Sequence, residues 1–157
     1  MNVALDMNEF NINNVFYQKP INNTVMEDSN FIRILYSDEL ITINGIFIKI
    51  NLKIESIDAY YNKYRCVYQE NLNREVINYI KNLESIILHN YKSIKKPSYK
   101  IKEQLDTMSI KIFTETNVRK IPSEFILKIS GLWETSTEYG ITYKFTNINR
   151  RLQNTLI

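Results

Sequence analysis

Gly131-Leu-Trp-Glu-Thr-Ser-Thr-Glu-Tyr-Gly-Ile-Thr-Tyr-Lys-Phe145 is the most informative segment of this 157-residue chain, because it holds two of the three glycines and the only tryptophan. Glycine this rare usually has a backbone role. The segment predicts a strand that ends at Trp133, a polar turn, and a second strand that returns to the end of the segment. Strand alternation puts Ile141 on one face with Tyr139 and Tyr143, which indicates that this face is buried. We therefore predict the closing hairpin of a β-barrel.

The composition is typical of one intracellular globular domain. A chain of this length buries roughly two-thirds of its unfolded surface without disulfides or metal. Its 25 isoleucines predict an isoleucine-built core, and 20 asparagines beside only two alanines are typical of an A/T-rich genome. The lone cysteine, Cys66, excludes an internal disulfide and favours a reducing compartment. There is no signal-peptide pattern and no apolar run near the roughly 18 residues of a membrane span, so we expect no membrane partner.

Charge is distributed unevenly along the chain. Residues 1–45 hold six acidic and two basic residues, a net charge of −4, so the remainder carries +7 to give the overall +3. Residues 92–102 contain five lysines and no acid around Pro97. Such a loop is most often a solvated connection, and it is also the footprint of a segment that contacts phosphates.

The spacing of apolar residues predicts about six strands and one helix. Residues 1–30 are polar and weakly patterned, which indicates an N-terminal arm, and residues 148–157 are typical of a polar tail. Strand alternation begins at Phe31 and gives way to helical spacing between Leu72 and Tyr91. Strands then return after the lysine loop.

The run 41–54 alternates on both sides of Asn44-Gly45. One face is isoleucine and leucine, and the other carries Phe47, Lys49 and Lys53. Asn-Gly in such a run is either a tight hairpin turn or a bulge that bends one long strand. We predict the hairpin, because Asn-Gly is the strongest short-range hairpin signal.

The order of three strands, a helix and three further strands resembles that of the oligonucleotide-binding (OB) fold, a five-stranded barrel with a helix between its third and fourth strands. Several α+β folds also meet this order. The barrel of that fold binds nucleic acid on a sheet face and its loops. We predict a β-rich (α+β) domain over residues 31–147. It is expected to be an OB-like small barrel of five to six strands, with one helix inserted after the third strand.

Three regions of the chain resemble small proteins of large nucleocytoplasmic DNA viruses. They are Asn30-Phe-Ile-Arg-Ile-Leu-Tyr-Ser37, Ile43-Asn-Gly-Ile-Phe-Ile48, and Leu127-Lys-Ile-Ser-Gly-Leu-Trp-Glu134 with Tyr139-Gly-Ile-Thr-Tyr-Lys-Phe145. The resemblance covers about residues 29–146 and is weak across the helix. It implies a barrel similar to viral single-stranded DNA-binding proteins, found in the host cytoplasm or viral factory or packaged in the virion.

The side chains that enzymes use are scarce, so we expect a protein without catalytic activity, metal or cofactor. His89 is the only histidine, and with Cys66 it cannot build a zinc site. The three glycines cannot be arranged as a phosphate-binding glycine loop. The paired carboxylates of Asp38 and Glu39 fall in a predicted turn, where solvated side chains are the norm.

Exposed rings that stack on bases and cations that contact phosphates are the chemistry of single-stranded nucleic-acid binding. Phe47 and Phe113 share strand faces with lysines and are therefore better stackers than Trp133, since tryptophan in a β-rich domain is more often core. We expect sequence-tolerant binding of single-stranded DNA, with RNA as an open alternative. The candidate residues are Phe47, Lys49, Lys53, Lys95, Lys96, Tyr99, Lys111, Phe113, Lys128, Trp133, Tyr139 and Lys144.

The competing expectation is a structural or assembly protein of a virion, which binds other proteins through its arm and a tyrosine-rich surface. Homo-oligomers would then form through the arm, since such segments often order only on a partner. A continuous basic groove favours nucleic acid, whereas an apolar patch rimmed by acids favours subunit contact.

Overall fold

The computed structural model describes residues 4–113, 118 and 120–148. These residues form eleven strands, two α-helices and a short 3-10 helix at Ile12–Asn14. The strands are β1 (Val15–Tyr17), β2 (Ile21–Asn22), β3 (Asn30–Ser37), β4 (Thr42–Asn44), β5 (Ile46–Asn51), β6 (Ile54–Tyr60), β7 (Lys63–Tyr68), β8 (Lys96–Ser98), β9 (Ser109–Phe113), β10 (Glu124–Glu134) and β11 (Glu138–Asn147). The helices are α1 (Glu70–Asn90) and α2 (Lys100–Leu105).

All eleven strands belong to one mixed sheet, whose main path runs β1-β3-β10-β11-β9-β7-β6. Strand β5 pairs with β10, β2 and β4 pair with β3, and β8 pairs with β11. In the described part of the chain the two ends of the path, β1 and β6, do not pair with each other, so the sheet does not close into the predicted barrel. The β-rich class is confirmed, while the strands are shorter and more numerous than predicted.

The predicted hairpin near the end of the chain is confirmed as β10 and β11, which pair antiparallel around a turn at residues 135–137. The register shifts between Ile129 and Gly131, and at this bulge the other edge of β10 changes its partner from β5 to β3. Gly131 is required here, because a Cβ atom would collide with the carbonyl oxygen of Ile32 on β3. The rare glycine therefore allows one strand to serve two neighbours.

The predicted hairpin at Asn44-Gly45 is wrong. Strand β4 pairs with β3 whereas β5 pairs with β10, so the strands on either side of Gly45 have different partners. Gly45 has a φ of 109°, a backbone conformation that L side chains rarely adopt. The glycine bends one long strand from one neighbour to the next, which is the other structure that Asn-Gly allows in an alternating run.

The helix predicted from periodicity is confirmed as α1, and it packs on the inner face of the sheet. The hydroxyl of Tyr17 donates to the carbonyl of Ile87 at 3.0 Å, and that of Tyr139 donates to the carbonyl of Leu88 at 2.8 Å. These bonds fasten the last turns of α1 to two distant strands. Its buried apolar residues are Ile77, Ile80, Leu83, Ile87 and Leu88.

The second helix, α2, was not predicted from the sequence. Its first turn is capped by Glu84 of α1, whose buried carboxylate accepts the backbone N–H groups of Ile101 at 2.8 Å and Lys102 at 2.9 Å. The N-cap residue itself, Tyr99, supplies no side-chain hydrogen bond. A helix of six residues is therefore held by a distant carboxylate, because orphan N–H groups at a helix start need a partner.

The structure places residues 4–22 of the predicted N-terminal arm on the domain. Leu5 forms a parallel bridge with Ile48 on β5, and the Phe10 ring stacks on Tyr36 with centroids 5.8 Å apart. Residues 149–157 of the predicted tail lie outside the described part of the chain. No helix within the described ranges combines the length and the apolar composition that crossing a membrane requires.

Candidate nucleic-acid interface

Four neighbouring strands of the sheet each turn one cation away from the core. Lys128 on β10 pairs with Lys144 on β11, and Lys111 on β9 pairs with Arg65 on β7. The parallel bridge between β11 and β9 sets Lys144 beside Lys111. Adjacent strands lie ~4.8 Å apart, so the four positions span roughly 14 Å. We call Lys128, Lys144, Lys111 and Arg65 the cation row.

The cation row is bounded at both ends. At the β10 end the ammonium of Lys128 lies 5.5 Å from the centroid of the Phe47 ring, which is half-buried. At the β7 end a carboxylate oxygen of Asp58 on β6 lies 4.0 Å from the guanidinium of Arg65. Like charges on paired strands repel one another, so the row costs folding free energy unless an anion lies against it.

A second row of outward residues runs two positions further along β9 and β7 and continues onto β6. Phe113 pairs with Lys63, and Lys63 pairs with Tyr60 at the tip of the β6–β7 hairpin, where Tyr61 follows. The ammonium of Lys63 lies 4.9 Å from the Phe113 centroid, and the rings of Tyr60 and Tyr61 meet edge to face at 4.8 Å. The exposed fractions of Phe113, Tyr60 and Tyr61 are 45%, 63% and 92%. We call Phe113, Lys63, Tyr60 and Tyr61 the ring row.

The positions on the opposite side of the cation row carry no aromatic ring. Thr142 precedes Lys144 by two positions, and Ser109 precedes Lys111 by two positions. The Nε of Arg65 donates to the Ser109 hydroxyl at 3.2 Å, which orients the guanidinium across the row. On the outer face of β9 and β11, the one ring that lies two positions from the cation row is thus that of Phe113.

Gln104 of α2 supports the row where β11 and β9 meet. Its amide nitrogen donates to the Tyr143 hydroxyl at 2.6 Å, and its carbonyl oxygen accepts the backbone N–H of Lys111 at 2.9 Å. Tyr143, which strand alternation assigned to the buried face, is half-buried in this structural contact. Burial raises the pKa of Tyr143, so its hydroxyl remains a neutral hydrogen-bonding group.

Half of the twelve residues predicted for binding meet on this outer surface of the sheet. Lys49 is exposed beside the rows and pairs with Ile126. Lys53 follows β5, where its backbone N–H and carbonyl bond to the Asn73 side chain at 2.7 and 3.1 Å, and its own side chain is exposed. The six residues on the surface are Phe47, Lys49, Lys111, Phe113, Lys128 and Lys144.

The predicted binding residues of the lysine loop, residues 92–102, lie on another part of the molecule. Lys96 is on β8, which pairs with the first residues of β11, and Tyr99 is half-buried against the core. The β8 pairing ends at Gly140, four positions before Lys144, a separation of ~13 Å along a strand. The loop and the cation row are therefore separate surfaces.

Lys95 is held in contacts within the domain. Its ammonium lies 3.2 Å from the Glu134 carboxylate and donates to the carbonyl of Thr135 at 2.7 Å. A cleft of about 500 Å³ opens beside this ion pair, and its lining also includes Asp28 and several asparagines and serines. Two carboxylates against one ammonium do not favour a phosphate in this cleft.

The prediction of Trp133 and Tyr139 as binding residues is wrong, since their side chains are only 7% and 4% exposed. The Trp133 indole lies against Gly140 of the paired strand, where a Cβ atom would stand 2.5 Å from the ring. Tyr139 lies on the inner face and bonds to α1. Neither ring can stack on a base, because both are buried.

Sequence reasoning missed Tyr60, Tyr61, Lys63 and Arg65 as binding candidates. The alternation of residues 63–68 sets Lys63 and Arg65 opposite the face of Cys66. The missing information was the hairpin turn at Tyr61-Asn62, which lacks the glycine that marks most two-residue turns. Without that turn, β6 and its tyrosines could not be placed beside β7.

A different part of the outer surface is apolar. Phe16 on β1 pairs with Leu35 on β3, and Ile21 on β2 pairs with Phe31 on β3. Phe16 and Ile21 are exposed, and the loop after β3 adds exposed Leu40 directly after Asp38 and Glu39. This apolar face, made by Phe16, Ile21, Phe31 and Leu35, belongs to the acidic first part of the chain.

The groups that could act as nucleophile or ligand lie away from the rows. Cys66 is buried on the inner face, and burial raises the pKa of its thiol to about 11. His89 is exposed near the end of α1, with Nδ1 2.8 Å from the Ser85 carbonyl oxygen. In the part of the chain that the structure describes, no three His, Cys, Asp or Glu side chains are grouped to hold a metal ion.

The outer surface thus combines a row of cations with a row of exposed rings. Comparison of the chain with protein-family models, with curated proteins and with solved structures found no match in any of the three.

Proposed function

We propose that this protein is a non-enzymatic, sequence-tolerant binder of single-stranded DNA or RNA, and that the bound strand lies on the outer surface formed by β10, β11, β9, β7 and β6. The observation that carries the proposal is the cation row flanked by exposed rings on its neighbouring positions. Cations on adjacent strands offer a path to a chain of phosphates, and the rings offer π-faces to its bases.

The cation row supplies the electrostatic part of binding. Four phosphate contacts predict that log K falls against log salt with a slope of roughly −3, at about −0.7 per phosphate on a single strand. Folding has left these like charges side by side, and a polyanion relieves their repulsion. This term does not depend on base sequence.

The ring row supplies the part of binding that requires bases. Stacking on an aromatic side chain contributes roughly 1–3 kcal/mol per base and tolerates any sequence. Bases are available to Phe113, Tyr60 and Tyr61 only when unpaired, so single strands are favoured over duplex. An OB-like use of a sheet face belongs to this proposal and does not require a closed barrel.

The test is fluorescence anisotropy of labelled oligo-dT of about 12 nucleotides, a length within the range that such sheet surfaces cover. We expect affinity to fall steeply between about 50 and 200 mM salt. Lys111→Gln with Lys144→Gln should flatten the slope by about 1.4, whereas the charge-matched pair Lys19→Gln with Lys92→Gln, on exposed residues elsewhere, should leave it unchanged. Absence of binding at low salt with tens of micromolar protein contradicts the proposal.

The second candidate function is binding to another protein, and the apolar face of β1–β3 is the observation that favours it. Exposed apolar side chains beside acidic loops are typical of protein contacts. If the partner is a second copy of the chain, sedimentation velocity should show a dimer that Phe16→Asp abolishes. A monomer at all concentrations would limit this face to partners of other kinds.

A further inference from the structure

The turn of the β6–β7 hairpin holds a residue whose conformation and exposure both oppose stability. Tyr61 has a φ of 55°, in the left-handed region, where non-glycine residues are uncommon and asparagine is among the better tolerated. Asn62 follows it directly, yet the tyrosine takes the strained position. The Tyr61 ring is also 92% exposed. Strained residues at exposed sites often mark a binding function, and this one presents a ring to solvent.

The position of Tyr61 extends the ring row beyond the cation row. Phe113, Lys63 and Tyr60 lie on successive strands, and Tyr61 continues from Tyr60 at the hairpin tip. The cation row, which contacts the phosphates, ends at Arg65 on β7, because the residue beside Arg65 on β6 is Asp58. Strand β6 itself therefore offers rings and no cation, and the nearest ammonium is that of Lys63 on β7.

Resting on the proposed function, we infer that the tip of the β6–β7 hairpin is a separate subsite that takes an unpaired base at one end of the bound segment. Tyr61 stacks on that base and Tyr60 supports the Tyr61 ring edge to face. Phosphates lie along the cation row, and bases turn toward the ring row, because the positions on the opposite side of the row, Thr142, Ser109 and Val67, carry no aromatic ring. The carboxylate of Asp58 keeps further phosphates off β6.

Tyr61→Gly separates this role from folding, because the two effects have opposite signs. Glycine adopts a φ of 55° without strain, so the variant should melt at a higher temperature than the wild type. Loss of the stacking ring should weaken binding of the oligo-dT probe by about fivefold or more, the equivalent of roughly 1 kcal/mol or more per base. Unfolding cannot explain weaker binding by a more stable protein.

Two controls sharpen the test. Met108→Gly replaces another uncharged residue with a φ of 57°, at the opposite end of β7 from the hairpin tip, and should raise the melting temperature without changing oligo-dT affinity. An abasic oligomer of the same length carries the phosphates without the bases. Tyr61→Gly should bind it as the wild type does.

The outcomes distinguish the subsite from the proposed function. If the wild type does not bind oligo-dT, the proposed function fails and the subsite with it. If the wild type binds and Tyr61→Gly binds equally well, the subsite is wrong while the proposed function stands. An equal loss of affinity for oligo-dT and the abasic oligomer also overturns the subsite, since the ring would not be acting on a base.

Discussion

The ammonium of Lys63 lies 4.9 Å from the centre of the Phe113 ring, and the two residues are direct partners on β7 and β9. A cation at this distance from an exposed ring contributes roughly 0.5–1 kcal/mol, which keeps both groups together on the outer surface. A nucleotide bound there meets a cation and a ring side by side. The pair thus represents, on two residues, the chemistry that we propose for the whole surface.

Asp58→Asn should strengthen nucleic-acid binding. The Asp58 carboxylate lies 4.0 Å from Arg65, and both side chains are exposed, so their mutual attraction is weak. The carboxylate nevertheless repels an incoming phosphate. We expect oligo-dT affinity to rise about two- to fivefold at low salt, with a smaller gain as salt increases. Anisotropy titrations measure the change, and Glu27→Gln on an exposed loop is the control. Weaker binding by Asp58→Asn would show that phosphates do not approach Arg65.

Glu84→Ala should destabilise the fold by about 1–3 kcal/mol, because it leaves the N–H groups of Ile101 and Lys102 without their acceptor. Glu103→Ala, on the exposed side of α2, should have little effect. Urea unfolding followed by circular dichroism measures both variants.

The stabilisation by Glu84 should depend on pH. Burial raises the pKa of Glu84 above its ordinary value of 4.5, against the opposing effect of the two N–H donors. The folded protein therefore holds this proton more tightly than the unfolded chain, so the contribution is largest below pH 4.5 and falls as the pH rises through the raised pKa. The difference in unfolding free energy between wild type and Glu84→Ala should be larger at pH 4 than at pH 7. A difference that grows with pH would mean that the N–H donors outweigh burial.

Gly140→Ala should cost about 1–3 kcal/mol of stability, because its Cβ atom would stand 2.5 Å from the Trp133 indole. The cost should shrink when Trp133→Leu is combined with it, since the smaller side chain leaves room for the methyl group. A double-mutant cycle by urea unfolding measures this coupling. Simple additivity of the two changes would contradict the close approach of the indole to Gly140.

Cys66 should resist thiol reagents in the folded protein. Its side chain is buried, and burial raises the pKa of the thiol from 9.0 to about 11, which lowers the thiolate fraction about a hundredfold at pH 8. Absorbance after addition of a disulfide reagent should show slow labelling that becomes rapid in urea. Fast labelling of the folded protein would show that β7 opens readily.

Sequence alone predicted the features that depend on short-range pattern. Alternation placed Phe47, Lys49, Lys111 and Phe113 on outward faces, and it assigned Ile141 and its neighbours to the buried face. Pairing partners could not be predicted, because Asn44-Gly45 has the same local signal whether the chain turns back or bends toward a new neighbour. The cation row likewise depends on which strands meet.

The other misses have the same physical origin. Helix α2 is too short for a helical period, and the carboxylate that caps it comes from Glu84 in another helix. Tyr61 occupies a turn position at which sequence rules expect glycine or asparagine. The indole of Trp133 lies against Gly140 of the neighbouring strand, a contact that only the pairing of β10 with β11 creates.

An amide chemical-shift titration of the isotope-labelled protein with short oligo-dT maps the bound strand on the sheet residue by residue. We expect the largest changes on Lys63, Arg65, Lys111 and Phe113, with Tyr61 at the edge of the perturbed surface. Changes centred instead on the apolar face around Phe16, or on the loop that holds Lys96, would contradict it.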